Sequence, residues 1–395
     1  MRLLIGFLLF VTLITCRVVA QNDGPHLLLT GKRLHRLKLD SGRRTERWVN
    51  FERRVKTVPD SPERGFELAL YSAVTGEASS CIDAWKWVSA HPSEYRQRAI
   101  VVDWCRATLD GSTMKNVALP PASDAGRPFS HARDLLFSQI ARGEATRESV
   151  QAQWSHLLPL IQHDPRSCLA EFYALFEFLD AARQSFRSDL RQDDAHLFAN
   201  LPYVFLLSLK PGELENPGWL TRAGGLMMVN LDPNLQGSSF VQGWALEDPK
   251  MVREGPGVAY EFLWANPYLP GLGYYNMDPW TYDAPSGLLI ARESWDADSC
   301  WVEVFRGRKT ALQCPPRVLE DASVFGKLTI RPLIGQCMDV AQKPGNSTLL
   351  SHLTPEAPVT WQENGRTFNG TADPSGFFLM SSMASGQFCQ NRDKR

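Results

Sequence analysis

Tyrosine and tryptophan side chains concentrate between Tyr260 and Trp301, and they are the residues of this chain best suited to chemistry on a sugar. Ten aromatic residues fall in these 42 positions, and five of the nine tyrosines lie between Tyr260 and Tyr282. The Pro and Gly residues among them are incompatible with a continuous helix, so much of the segment is predicted to be shaped loop. Aromatic faces and hydroxyls on such a loop suit a saccharide groove, and a tyrosine there can transfer a proton.

Individual residues of this aromatic segment are candidates for separate roles. The candidate substrate-binding residues are Trp264, Asn266, Tyr274 and Trp280, with the tryptophans as stacking platforms. The candidate acid/base residues are Tyr268 and Tyr275. The same aromatic residues would also seal a helical region against a following β layer, where Tyr and Trp are equally favoured. Both interpretations are compatible with the sequence.

Histidine, asparagine and arginine side chains earlier in the chain add a second set of candidates. His196 and Asn200 are four residues apart, which places them on one face of a predicted helix, with Tyr203 close by. Arg133 follows His131 on another predicted helix and is a candidate for binding a substrate carboxylate. A packed or capped helix face is the structural alternative for His196 and Asn200.

Paired carboxylates raise a different chemistry, because glycoside hydrolysis needs an acid and a second carboxylate at a set separation. Asp193, Asp194 and Glu261 are the residues that suggest it. An acidic pair at a helix start is also what caps a helix and complements its dipole. The sequence therefore leaves hydrolysis open as an alternative.

Other site classes have no support in the sequence. The chain contains no glycine-rich phosphate loop, no GxSxG elbow and no HExxH motif. The formal net charge of −1 advertises no basic face, so nucleic acid is not an expected partner. No metal site and no cofactor are predicted, and the oligomeric state is not specified by any pattern.

The N-terminus has the pattern of a secretory signal peptide. Arg2 precedes an apolar run from Leu3 to Cys16, and Val18-Val19-Ala20 supplies a small-residue cleavage site. Residues 1–20 are therefore expected to be removed from a secreted or periplasmic protein without a stable membrane span. Seven cysteines follow this segment, an odd number at irregular spacing that argues against a disulfide scaffold or a zinc site. Cys81 and Cys105 lie in apolar helical patterns and are expected to be small buried residues, with one or two bridges left open.

The elements that must position these candidates change in type along the chain. Residues 21–230 read as successive helices joined by short turns, which is typical of antiparallel helical hairpins. A Pro- and Gly-rich aromatic connector is expected over 231–284, a reduced β domain over 285–340, and a poorly ordered tail over 341–395. Helices first and strands afterwards predict a segregated α+β chain.

Three segments resemble the heparinase II/III-like polysaccharide lyases, in a divergent or truncated form. PHLLLTGKRLHRLKLDSGRRTERWVNF (25–51) is similar to the leading segment of that superfamily, and FELALYSAVTGEASSCIDAWKWV (66–88) resembles its first helical hairpin. SGLLIARESWDADSCWVEVFRG (286–307) is similar to the strand pair that begins its β-sandwich. The resemblance implies an incomplete α/α toroid followed by a small antiparallel β-sandwich-like domain.

The resemblance also implies a reaction, the eliminative cleavage of a uronic-acid-containing polysaccharide. An Asn, Arg or His would neutralise the uronate carboxylate, and a Tyr would serve as acid and base. In this chain Asn200 or Arg133 would hold the carboxylate, Tyr268 or Tyr275 would transfer the proton, and His196 would assist. The expected partner is an acidic polysaccharide. A non-catalytic polysaccharide-binding protein and a hydrolase with paired carboxylates are the alternatives.

Overall fold

The computed structural model describes residues 27–110, 117–121, 126–214, 217–247, 255–313, 323–340, 345–363, 365–380 and 386–390. Within these ranges the chain is α+β, with helices in the N-terminal part and three small, mainly antiparallel sheets after them. The prediction of helices first and strands afterwards is confirmed. The predicted signal peptide lies outside the described residues. No helix in the described ranges is both long and apolar enough to cross a membrane.

The helices are short and follow one another closely. Those of the first half are α1 (Gly31–Gly42), α2 (Glu46–Thr57), α3 (Arg64–Thr75), α4 (Ala78–Ala90), α5 (Tyr95–Trp104) and α6 (Pro128–Arg142). Those of the second half are α7 (Arg147–His163), α8 (Phe172–Phe186), α9 (Ala195–Ser208), α10 (Trp219–Leu231), α11 (Gln236–Glu247) and α12 (Gly257–Trp264). Local signals set several ends: Thr30 and Asp194 cap α1 and α9 with their side chains, and Gly76 ends α3 in the left-handed region.

Helices α3, α5, α6, α8, α10 and α12 form a row that returns on itself. In chain order, α3 packs on α5, α5 on α6, α6 on α8, α8 on α10, and α10 on α12. α12 packs in turn on α1 and α2, and both of these pack on α3. Three of the remaining helices lie against members of the row: α4 on α3 and α5, α7 on α6 and α8, and α11 on α10. α9 packs on α11. One continuous apolar core fills the helical part.

The strands form three sheets of four. The first sheet has the order β1-β2-β3-β4, with β1 at Trp280–Asp283, β2 at Leu288–Arg292, β3 at Trp301–Phe305 and β4 at Arg308–Gln313. The second has the order β11-β8-β6-β5, with β5 at Ser323–Phe325, β6 at Leu328–Pro332, β8 at Ser347–Ser351 and β11 at Phe378–Met380. The third has the order β10-β9-β12-β7, with β7 at Cys337–Val340, β9 at Pro358–Glu363, β10 at Arg366–Thr371 and β12 at Gly386–Gln390. β6 and β8 are parallel, and the other pairs are antiparallel.

Strand β2 joins the helical part to the sheets because both of its faces are buried. Leu288 and Ile290 belong to the core of the helical part, whereas Leu289 and Ala291 belong to a second core that the first sheet shares with β6 and β8. This division follows from the two-residue period of a strand. It explains why the run from Leu288 to Ala291 is apolar without alternation, and it places α9 directly against β1 and β2.

The expected connector and tail differ from the structure. The connector (231–284) contains α11, α12 and β1, and the expected poorly ordered tail (341–395) contains β8 to β12. In the connector, glycine serves close packing as well as loop formation: a β-carbon at Gly243 in α11 would collide with the carbonyl of Leu272. In the tail, apolar residues are sparse along the sequence, but Leu350, Val359 and Phe388 meet in one buried cluster.

Disulfides correct the expectation about two cysteines. Cys81 and Cys105 are bonded to each other and tie α4 to the end of α5, so they are not independent buried thiols. Cys337 and Cys389 join the paired strands β7 and β12, and Cys300 is also disulfide-bonded. Cys168 is a buried free thiol. Apolar helical patterns did not distinguish a buried thiol from a bridge because both are buried.

Candidate functional site

A cavity of about 350 Å³ lies where the N-terminal ends of the helices in this row meet. Most of its lining comes from the first turn of α3, α5, α6, α8, α10 and α12, or from the residue just before that turn. The second turn of α6 adds Arg133 and Asp134, and the loops before α5 and α6 add Ser93, Pro120 and Pro121. The polar residues that matter most are Glu63, Arg96, His131, Arg133, Tyr173 and Tyr260. The six helices of the row therefore present their N-terminal ends to a single cavity.

The position of the cavity at helix N-termini has an electrostatic consequence. The first turn of a helix carries backbone N–H groups without intrahelical partners and the positive end of the helix dipole. Such ends favour bound anions. At α6 the carboxylate of Glu171 already accepts the N–H groups of Phe129 and Ser130, so that end is compensated within the protein. Arg127 stands at the rim with its side chain 69% exposed, 4.0 Å from Glu171.

A buried ion cluster forms beside the cavity around Glu177, whose side chain is fully buried. Arg96 donates from Nε and Nη2 to this carboxylate at 2.8–3.0 Å. Arg133 donates to it from Nη1 at 3.1 Å and to Asp134 from Nε at 2.8 Å. Burial is the largest single influence and lowers the pKa of Arg96, but Glu177 and the other surrounding groups together outweigh it, and the net pKa is raised well above its ordinary value. Both guanidinium groups are therefore charged, fixed in position and held at the cavity wall.

Two tyrosines complete the wall. The Tyr260 hydroxyl donates to Oε2 of Glu63 at 2.8 Å, and Nη1 of Arg96 donates to the same oxygen at 2.8 Å. The Tyr173 hydroxyl accepts from the indole Nε1 of Trp264 at 3.2 Å. Burial raises the pKa of both tyrosines well above the ordinary value, although Arg96 opposes the shift. Both hydroxyls therefore keep their protons at neutral pH.

Of the sequence-predicted residues, Arg133 lines this cavity and Trp264 lies behind its wall. Arg133 lines it as a half-buried side chain, next to the half-buried imidazole of His131. Trp264 lies behind the wall and is completely buried, with the guanidinium carbon of Arg33 4.2 Å from its ring centroid. It cannot serve as the predicted stacking platform, because no ring face is accessible to a ligand.

The loop residues lie elsewhere. Tyr268 and Tyr275 are 74% and 61% exposed, and neither lines this cavity. The side chain of Asn266 accepts from the backbone N–H of Tyr268 and so shapes a turn. Tyr274 packs edge-on against Trp295, with ring centroids 5.2 Å apart.

His196 and Asn200, the pair predicted to share one face of a helix, both lie on the side of α9 that faces the first sheet. Asn200 Oδ1 accepts from the Thr281 hydroxyl at 2.9 Å, which makes it a link between α9 and β1. His196 is exposed and lines a separate cavity of about 450 Å³ beside Tyr282. Trp280 packs on the core of the first sheet. The structure therefore does not bring His196, Asn200 and the loop tyrosines together into one site.

The acidic residues that suggested a hydrolase have structural contacts. Asp194 caps α9 through the N–H of Leu197, and Asp193 accepts from the indole of Trp154 at 2.9 Å. Burial raises the pKa of Glu261 to about 6, yet the space beside it is only about 10 Å³, close to the smallest volume that holds one water. In the described ranges, no group of three or more His, Cys, Asp and Glu residues is arranged to hold a metal ion.

Comparisons with known proteins do not place the chain in a family: no family model matches it, and no curated protein matches it. The function of the chain must therefore be inferred from the cavity itself. Its residues Glu63, Arg96, Tyr173 and Tyr260 were not singled out from the sequence as site residues. The only local signal that these four residues share is their position at or next to the first turn of a helix in the row.

Proposed function

We propose that this chain is a secreted or periplasmic carbohydrate-active protein that cleaves a uronic-acid-containing polysaccharide by β-elimination in the cavity at the helix N-termini. The observation that carries the proposal is the convergence of fixed guanidinium groups, protonated tyrosines and a histidine on one cavity. The closed order of helix packing supports an α/α toroid, as expected of a heparinase II/III-like lyase. The core shared by the first two sheets supports a sandwich-like β domain. Disulfides are compatible with export.

The reaction requires a cation at the uronate carboxylate, because removal of the adjacent C5 proton places negative charge on that group. Arg127 at the rim supplies positive charge with an exposed side chain, Arg133 at the wall adds the charge that it shares with Glu177 and Asp134, and the helix N-termini contribute further. A carboxylate is thereby neutralised without a metal ion from the protein.

Proton transfer completes the chemistry. The imidazole of His131 takes the C5 proton, the electron pair of that C–H bond forms the C4–C5 double bond, and the bond from C4 to the glycosidic oxygen breaks. Tyr260 protonates the departing oxygen. After product release the Tyr260 oxygen regains a proton from solvent and His131 loses to solvent the proton that it took from C5. Glu63 and Arg96 orient the Tyr260 hydroxyl through the contacts described above. Tyr260 thus takes the acid role that the sequence assigned to Tyr268 or Tyr275.

The test uses the purified full chain with alginate, heparan sulfate, chondroitin and pectic substrates. Elimination yields an unsaturated uronate that absorbs in the ultraviolet. We expect this absorbance with wild type on at least one substrate and a loss of about 10²- to 10⁴-fold in Tyr260→Phe and in His131→Asn. Tyr275→Phe is the matched control, because it removes an exposed hydroxyl away from the cavity. Equal rates in Tyr260→Phe and wild type would contradict the assignment.

Hydrolysis is the second candidate, and one observation favours it: Glu63, Glu94 and Asp134 line the same cavity. Paired carboxylates are what a glycoside hydrolase requires. New reducing ends without ultraviolet absorbance would support hydrolysis over elimination. Retained polysaccharide binding with neither product would support a non-catalytic binding protein.

A further inference from the structure

The cavity beside His196 has a composition unlike that of the first. It has a volume of about 450 Å³ and lies between the start of α9, the turn after β1 and the segment from Thr371 to Leu379. Its apolar lining includes Pro285, Phe377 and Phe378. Asp373 is the one acidic residue among its described lining residues, which include no Lys or Arg. This space therefore does not offer the cationic surroundings that an acidic sugar needs.

Two polar atoms at this cavity have no hydrogen-bond partner within the described parts of the chain. They are the hydroxyl oxygen of Tyr282 and Oδ2 of Asp373, and both atoms are buried. A buried polar atom without a partner is destabilising, so such atoms normally bind water or a ligand. Two of them at the edge of one cavity mark a place where hydroxyl groups of a ligand would be satisfied.

Asp373 is held in place independently of any ligand. Its Oδ1 accepts the backbone N–H groups of Ser375 at 2.7 Å and Phe377 at 2.9 Å, and these bonds fix a turn. The second carboxylate oxygen, Oδ2, has no partner in the described chain. The Phe377 ring packs 6.1 Å from the Tyr282 ring, so the apolar and polar parts of the cavity are fixed relative to each other.

We propose that this cavity is a second glycan-binding site, separate from the cavity at the helix N-termini, and that it takes a neutral pyranose residue. The apolar face of the sugar ring packs on Pro285 and Phe378, while one hydroxyl donates to Asp373 Oδ2 and another group bonds to the Tyr282 hydroxyl. The lone carboxylate disfavours a uronate by like-charge repulsion. His196 on the rim contributes a further polar contact to the bound sugar.

Calorimetric titration of the full chain with neutral oligosaccharides tests the site, using hexasaccharides of the cello, xylo, manno and malto series as probes. We expect at least one to bind wild type, and Tyr282→Phe and Asp373→Asn each to raise its Kd about tenfold or more. Because the Tyr282 hydroxyl is buried without a partner in the described chain, Tyr282→Phe should unfold at or above the thermal midpoint of wild type. Asp373→Asn retains the oxygen that holds the turn.

Control variants separate this site from the first. Tyr275→Phe removes an exposed hydroxyl away from this cavity and should bind the sugars as wild type does. Tyr260→Phe should also bind them normally, whatever its effect on cleavage. Failure of every neutral probe to bind, or equal Kd values for wild type, Tyr282→Phe and Asp373→Asn, would overturn the proposal. Tight binding of an apolar dye that the sugars do not displace would also overturn it and assign the cavity to an apolar ligand.

Discussion

Replacing Glu177 with Gln is expected to destabilise the helical part strongly, because this residue is the shared counter-ion of two buried arginines. The Glu177 side chain is fully buried, whereas those of Arg96 and Arg133 are 7% and 12% exposed. Gln has nearly the same shape as Glu but no charge. It also carries an NH₂ group in place of one acceptor oxygen, next to donors that need an acceptor.

The magnitude follows from what remains after the substitution. Removing one partner of a buried ion pair costs about 3–5 kcal/mol, because the other charge stays buried without compensation. Arg96 keeps its contact with Glu63, and Arg133 keeps its contact with Asp134. We therefore expect the low end, about 3 kcal/mol. At about 2–4 °C per kcal/mol for a region of this size, the thermal midpoint should fall by about 6–12 °C.

Thermal unfolding followed by far-ultraviolet circular dichroism measures this effect. The control is Asp83→Asn, which breaks an ion pair with Lys86 on α4 in which the two side chains are 57% and 71% exposed. Exposed pairs contribute little, so the control should unfold with wild type. A Glu177→Gln midpoint equal to that of wild type would refute the counter-ion role, and an equal fall in both variants would show that the assay reports general charge loss.

Other substitutions give independent checks. Burial raises the pKa of Glu261 from 4.5 to about 6, so the folded state holds the proton more tightly than the unfolded state. The free energy of unfolding should therefore fall as pH rises from 4.5 to about 6. Urea unfolding across pH should show Glu261→Gln to be more stable than wild type above this range by about 2 kcal/mol and equal to it below the range. Replacing Cys81 and Cys105 with Ala opens a loop of sequence separation 24 and should lower the free energy of unfolding by about 3 kcal/mol in the same assay. An unchanged free energy of unfolding would show that the bridge does not restrain the unfolded chain. Tyr268→Phe should leave polysaccharide cleavage unchanged, since that hydroxyl is exposed away from the cavity; a large loss would return the acid role to the loop.

The order of helices and strands was predictable because its signals are local. Caps, turn glycines and apolar periodicity lie within a few residues of the element that they define, as at Gly76, where α3 ends. The strands of the tail were not predicted. Their apolar residues are few, and the core in which Leu350 and Phe388 meet exists only after distant segments have paired.

The candidate site was less predictable than the fold because it is assembled over long sequence distances. Tyr260 and Glu63 are 197 residues apart, and Arg96 and Glu177 are 81 apart. The aromatic segment drew attention to loop tyrosines, but its contribution to the cavity is Tyr260 at the start of the segment, inside α12. Arg133 was singled out for its charge and lies at the cavity, yet its partners Glu177 and Asp134 could not be read from the sequence.

The most direct test of the central claim is the mass balance of the cleavage products. Mass spectrometry of a defined uronate oligosaccharide, before and after incubation with the full chain, distinguishes elimination from hydrolysis without reference to any assigned residue. Elimination predicts two products whose masses sum to that of the substrate, one of them an unsaturated uronate, with Tyr260→Phe forming them far more slowly. Products whose masses sum to the substrate plus one water would contradict elimination and favour the carboxylates of the same cavity.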